Sequence, residues 1–117
     1  MNLEIIAHRG FSACCVADPY GIAPENTLAA FASAITHQAN GIEFDVQLSL
    51  DKIPVIFHDI TLERTTNGKG FLKDKTIEQL KNLDAGSWFS EEFRGESIPT
   101  FEETLDLLQD TNIHIYP

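Results

Sequence analysis

"GIEFDVQLSLDKIPVIFHD", residues 41–59, joins two runs with different patterns. In the first, Ile42, Phe44, Val46 and Leu48 alternate with Glu43, Asp45 and Gln47, the period of a half-buried strand with its polar side in water. In the second, "IPVIF" is almost wholly apolar, as in a strand covered on both faces. A covered sheet has little room for two carboxylates on one face, or for His58-Asp59 at the end of the next strand. Strand ends that meet at a reactive site do accept such groups. The pattern predicts strands at about 42–48 and 53–58 and leaves open why a covered sheet carries these polar residues.

Outward from this stretch, "LEIIAH" (3–8) reads as a short apolar strand, followed by a Gly/Pro-containing loop to Pro24. Asn26 can cap a helix at about 27–39, with Leu28, Phe31, Ala32 and Ile35 on one stripe and Gly41 just past its end. After the polar loop around "TTNGKG", Thr76-Ile-Glu-Gln79 has capping-box spacing and opens a short helix bearing Ile77, Leu80 and Leu83. A long irregular segment, "AGSWFSEEFRGESIP", leads to a second capping box, Thr100-Phe-Glu-Glu103. That box starts a helix to about Gln109 with Leu105 and Leu108 buried, and "IHIY" (113–116) is a fourth strand. Strands alternating with helices favour an α/β fold with a largely parallel sheet. The short "SLDK" link after the second strand looks like a hairpin, so the third strand is either antiparallel or reached by an unusual crossing.

At 117 residues and 43% hydrophobic content the chain is at most one globular domain with a real core. No run approaches the ~20 apolar residues of a membrane span. The N-terminus lacks the basic start and apolar core of a signal peptide, so with residue 1 as the natural start the protein is expected in the cytoplasm. Cys14 and Cys15 are adjacent, giving neither a disulfide framework nor zinc spacing, and read as ordinary loop thiols. A net charge of −10 argues against nucleic acid as a partner. It also repels a small anionic substrate unless cations gather at the site.

The chemistry-bearing residues fall in order. His8 ends the first strand, Glu43 and Asp45 lie in the second, and His58-Asp59 ends the third. Residues i and i+2 of a strand share a face at roughly 6.6 Å between Cα atoms. Two carboxylates so placed can converge on one hard cation, with oxygen ligands at about 2.0–2.6 Å. An E-x-D pair alone more often faces solvent on an edge strand, and a lone strand-end histidine is more often a hydrogen-bonding residue. The combination across three strands is what carries weight.

In order along the chain, "AHRG", "PENTLAAF", "IEFDVQLSLD", "VIFHD", "LERTTNGKG", "LDAGSWF" and "IPTFEETL" resemble the glycerophosphodiester phosphodiesterases, from Ile5 to about Tyr116. The resemblance implies a TIM (β/α)8 barrel, with residues 1–117 covering its first half, strands 1–4, as the N-terminal half of a single domain. It implies a metal-dependent hydrolase that cleaves a small-molecule glycerophosphodiester to an alcohol and glycerol 3-phosphate. His8 and His58 match the family's acid/base histidines, Glu43 and Asp45 its ligands for one divalent cation, Mg²⁺ or Ca²⁺, and Arg9 a phosphate-binding residue. A further acidic metal ligand is implied just beyond Pro117, so that residues 1–117 alone are expected to be inactive. The loop "FSACCVADPYGIA" is longer than the family's usual one and is expected to remodel the substrate mouth. Asp51-Lys52, replacing a commoner Asp-Gly turn, is expected to matter only locally.

The residues themselves suit that reaction. A phosphodiester is an anion with a poor leaving group, and needs charge neutralisation, an activated nucleophile and a proton for the departing oxygen. A cation supplies Lewis acidity, Arg9 a bidentate fork, and two imidazoles, which titrate near ~6.5 in water, proton transfer in both directions. Related barrel phosphodiesterases acting on lysophospholipid or phosphoinositide head groups share this layout. A non-catalytic binding domain on the same scaffold is the other alternative, though no histidine or carboxylate of the set is lost. Glu25 and Asn26 read as organisers of the first helix start, with Glu25 alternatively bordering the site. Asp59 either orients His58 or begins a loop. Arg64 is a loop brace or a second phosphate contact, Trp88 and Phe89 line the mouth or anchor the long connection, and His37 and His114 read as ordinary positions.

Overall fold

The computed structural model describes residues 3–12 and 22–117. Cys14, Cys15 and most of the long loop after "HRG" lie outside the described residues. In chain order the elements are β1 (Ile6–His8), α1 (Leu28–Thr36), β2 (Gly41–Glu43), β3 (Val46–Leu48), β4 (Pro54–Ile56), α2 (Ile77–Lys81), α3 (Phe101–Leu108) and β5 (His114–Tyr116). The strands β1, β2 and β5 form a parallel sheet in the order β1-β2-β5. Ala7, Ile42 and Ile115 stand side by side in one row of this sheet, and His8, Glu43 and Tyr116 in the next. Successive side chains of a strand point to opposite faces. The first row accordingly packs with Phe31 and Ala34 of α1 and Leu108 of α3 into one core. The second row lies on the other face.

The predicted strand 42–48 is two strands in two different sheets. β2 ends at Glu43, and the chain resumes at Val46 as β3, paired antiparallel with β4 in a separate two-stranded sheet. Between them the backbone changes partner: Phe44 N donates to Tyr116 O of β5 at 3.1 Å, and Phe57 N donates to Asp45 O at 2.9 Å. The break also inverts the alternation. Ile42 and Phe44 are buried, but Val46 and Leu48 are exposed, and Gln47 turns inward to donate to Phe57 O and Asp59 O, both at 2.8 Å. A one-residue shift of phase exchanges the two faces of a strand, so an unbroken apolar alternation misreads the second half.

The third predicted strand is thus antiparallel, the first of the two alternatives left by the "SLDK" link. Of the four strands expected in the barrel wall, three lie in the parallel sheet and β4 lies in the hairpin. Its apolar composition has the expected cause, since Ile56 packs into the sheet–helix core while Val55 and Phe57 enter a second core with Leu62, Leu72, Leu80 and Ile98.

Both capping boxes form. Thr76 and Gln79 close the start of α2, and Thr100 and Glu103 that of α3. The first helix is capped by Thr27 rather than Asn26: Thr27 Oγ1 accepts from Ala30 N at 3.2 Å. Asn26 instead takes a left-handed backbone, φ 54°, and spends its side chain on Asp45. Ala30, Phe31 and Ala34 form the buried stripe of α1, and Ala32 is exposed. In α3 Leu108 is buried and Leu105 is 39% exposed, against the expectation that both are covered.

Gly10 fixes how the chain leaves β1. It has φ +84°, and a Cβ there would lie 2.7 Å from Ala30 Cβ and 2.8 Å from Ala30 C on α1. Left-handed backbone costs a β-carbon residue roughly 1–2 kcal/mol and overpacking about 1–3 kcal/mol more. Gly10→Ala is expected to destabilise the full-length protein by at least about 2 kcal/mol in urea unfolding. A loss below about 0.5 kcal/mol would show that α1 yields at this contact.

Candidate active site

Phe44 orients the pair of carboxylates beside it. Its ring is buried between Phe31 of α1, at 5.6 Å between centroids, and Phe101 of α3, at 6.0 Å. With Phe44 held in the core, Glu43 and Asp45 leave the chain on the opposite side, each side chain about one-third exposed, at 33% and 30%. The two carboxylates therefore sit at the carboxyl end of β2 and just past it, not along one regular strand.

On the open face of the sheet, His8 Nε2 lies 3.5 Å from Glu43 Oε2, and Arg9 N donates to the same oxygen at 3.3 Å. Arg9 itself has φ 54°, and its side chain is mostly buried, at 13% exposure. Arg9 Nη1 donates to Glu25 Oε2 at 3.0 Å, and Nε stands 3.7 Å from Asp45 Oδ2, which also accepts from Asn26 Nδ2 at 3.1 Å. Among the described residues, buried Arg9 Nε and Asn26 Oδ1 find no hydrogen-bond partner.

Glu25 is the hub. Its carboxylate is buried, at 3% side-chain exposure, and receives a second guanidinium from across the fold. Arg64 Nη1 donates to Glu25 Oε1 at 2.7 Å and Nη2 to Oε2 at 3.0 Å. The other edge of Arg64 holds Asp59, with Nε donating to Oδ2 at 2.8 Å and Nη2 to Oδ1 at 2.9 Å. Asp59 Oδ1 lies 2.7 Å from His58 Nδ1. Every predicted site residue is thus joined in one chain of contacts, from His8 through Glu43, Arg9, Glu25, Arg64 and Asp59 to His58, with Asp45 attached at Arg9.

The hydrogen bonds from Arg64, with a smaller contribution from His58, hold the Asp59 carboxyl down at about 2, although partial burial opposes this. A carboxylate depressed in this way adds stability above its unfolded value near ~3.9, and that stability is lost as the pH falls through about 2. Above pH 4 Asp59 is an acceptor only, so at 2.7 Å it requires the proton on His58 Nδ1. His58 Nε2 is the ring nitrogen not held by Asp59.

The donor set fits a hard divalent cation. Glu25, Glu43, Asp45 and Asp59 face two guanidiniums, leaving an excess of two negative charges with neutral imidazoles. Glu25 and Asp59 each accept a forked pair of hydrogen bonds from Arg64, whereas Glu43 and Asp45 accept none from its guanidinium, which makes them the carboxylates that could hold such a cation. Among the described residues no group of three or more His, Cys, Asp or Glu side chains forms a complete metal cluster.

Tyr116 borders Glu43 on the open face of the sheet, a neighbour that the sequence did not show. It stands in register with Glu43, and its ring lies over Gly41, where a Cβ would come within 2.7 Å of Tyr116 Cε2. Only the pairing of β5 against β2 reveals this position. Glu25 was read as an organiser of the helix start or a border of the site and Arg64 as a brace or phosphate contact; the pairing of the two across 39 residues was not readable in the sequence.

Residues 8–117 match the glycerophosphoryl diester phosphodiesterase family. The chain belongs to this family. A glycerophosphodiester phosphodiesterase of Caldanaerobacter subterraneus is 50% identical over 110 residues, covering 94% of this chain and 42% of that protein. Human glycerophosphodiester phosphodiesterase 1 is 40% identical over 117 residues, covering 98% of this chain and 33% of that protein. Among solved structures, a phosphodiesterase of Oleispira antarctica in complex with the product sn-glycerol-3-phosphate superposes with a TM-score of 0.87. It has 42% identity and covers 97% of this chain and 42% of that one. A glycerophosphodiester phosphodiesterase of Agrobacterium tumefaciens superposes with a TM-score of 0.82 at 36% identity. The fold is therefore part of the α/β TIM barrel of this family, and the chain spans about two-fifths of the bacterial relatives' length. No described helix is long and apolar enough to cross a membrane.

Proposed function

We propose that the intact protein hydrolyses glycerophosphodiesters to an alcohol and glycerol 3-phosphate, and that residues 1–117 are the N-terminal half of its barrel domain. The observation that carries this reading is the likeness, at 42% identity, to an enzyme whose structure holds sn-glycerol-3-phosphate as product. The site geometry supports it, since His8 with Glu43 and His58 with Asp59 form two imidazole–carboxylate pairs at one end of the fold. The reading takes soluble diesters in the cytoplasm as substrates.

Glu43 and Asp45 hold one divalent cation, Mg²⁺ or Ca²⁺, which when bound offsets the phosphate charge and lowers the pKa of a bound nucleophile. His58, with its proton on Nδ1, presents Nε2 to the reacting oxygens. His8, 66% exposed, reaches the same face from β1. One imidazole accepts the proton of the nucleophile and the other donates to the departing alkoxide, which divides the work that neutral pH allows each. Arg9 contacts the phosphate through the edge of its guanidinium not committed to Glu25.

The test is product analysis with the full-length protein on glycerophosphocholine, glycerophosphoethanolamine and glycerophosphoinositol. Glycerol 3-phosphate is expected to be released, to stop on chelation, and to return on adding back Mg²⁺ or Ca²⁺. Choline phosphate as the product, or turnover indifferent to chelator, would reject this reading.

A further inference from the structure

We infer that Arg64 is a positioning residue for His58: its guanidinium fixes Asp59, and through Asp59 the tautomer and direction of the imidazole. The geometry is a double fork. One guanidinium makes two hydrogen bonds to Asp59 and two to Glu25, at 2.7–3.0 Å. The donors of a guanidinium lie in one plane, so four such bonds to two carboxylates set the orientation of Asp59 relative to Glu25. Glu25 is itself buried and pinned by Arg9. Asp59 therefore does not hang from its own loop. It is anchored to the residues that follow β1, and the His58 ring inherits that anchor through a 2.7 Å bond. Gln47 steadies the same corner from the hairpin, donating to the carbonyls on either side of His58.

Loop bracing alone does not require this arrangement. A brace needs one ion pair, and Arg64 to Glu25 already spans the fold. The second fork is spent on the carboxylate that holds His58 Nδ1. A lysine at position 64 keeps the charge but has no planar fork, so it can satisfy one carboxylate only at the expense of the other.

The inference rests on the reading of His58 as a proton-transfer residue, and the experiment separates the two. In the full-length protein, Arg64→Lys and Arg64→Gln are compared with wild type by long-range ¹H–¹⁵N NMR of the His58 ring and by steady-state kinetics on glycerophosphocholine. Wild type is expected to show the Nδ1–H tautomer above pH 7. Both variants are expected to shift toward a mixture with Nε2–H and to lose roughly ten- to a hundredfold in kcat, with KM within about threefold. Arg64→Lys retaining the wild-type tautomer and kcat would overturn the inference, since charge would then suffice. If neither Arg64 variant folds, Asp59→Ala carries the test, because it severs the fork from the imidazole and leaves the Arg64–Glu25 pair intact. An unchanged tautomer and kcat in that variant would equally overturn it. A full-length wild type that releases no glycerol 3-phosphate rejects the proposed function, while the tautomer measurement still decides the role of Arg64.

Discussion

In the full-length protein, His58→Ala is expected to lower kcat by about 10²–10⁴, and His8→Ala by a similar factor, with divalent-metal binding nearly unchanged. The two histidines reach the site by independent routes. His8 closes β1 and stands against Glu43, whereas His58 lies two residues past the hairpin strand β4 and stands on Asp59. Neither belongs to the proposed metal pair, so removing an imidazole is expected to take away proton transfer without emptying the proposed cation site. The loss should fall on kcat more than on KM, because a transferred proton matters most where charge develops on the leaving oxygen. Single-turnover assays with and without added Mg²⁺ check this, alongside metal titration by calorimetry. Near-normal turnover in either variant removes that histidine from the mechanism, and loss of metal affinity reassigns it to the metal site.

What the sequence made legible follows from how local each signal was. Thr76/Gln79 and Thr100/Glu103 each close within one helical turn, and both boxes form as read. The apolar run 53–57 announced cover on both faces, and Val55 and Ile56 do enter different cores. The break at Phe44–Asp45 was not legible, because its cause is distant in sequence. Phe44 N is claimed by Tyr116 O, 72 residues on, while Asp45 O is claimed by Phe57 N. Nothing in the local alternation records a change of partner. The choice of Thr27 over Asn26 as cap has the same kind of cause, since Asp45 draws the Asn26 side chain away. The candidate site shows the same division: the residues predicted to be reactive stand at or just past strand ends where composition marks them, whereas the links between them run through Glu25 and Arg64, 39 residues apart.

The largest expected loss of stability is at Glu25. Glu25→Ala removes the carboxylate shared by two guanidiniums and leaves Arg9, at 13% side-chain exposure, with Asp45 at 3.7 Å as its one remaining carboxylate among the described residues. Breaking a buried ion pair from one side typically costs about 3–5 kcal/mol, because the surviving charge stays desolvated. Arg64 is 39% exposed and can turn toward water, so most of the penalty belongs to Arg9. That assignment has a consequence a simple lost contact lacks. Adding Arg9→Met to Glu25→Ala removes the stranded cation and should recover part of the stability, whereas adding Arg64→Met should recover little. Urea unfolding of the full-length protein and its variants measures both differences. A Glu25→Ala loss below about 1 kcal/mol, or a double variant with Arg9→Met less stable than Glu25→Ala itself, would mean that water reaches Arg9 and that Glu25 is not the hub of this site.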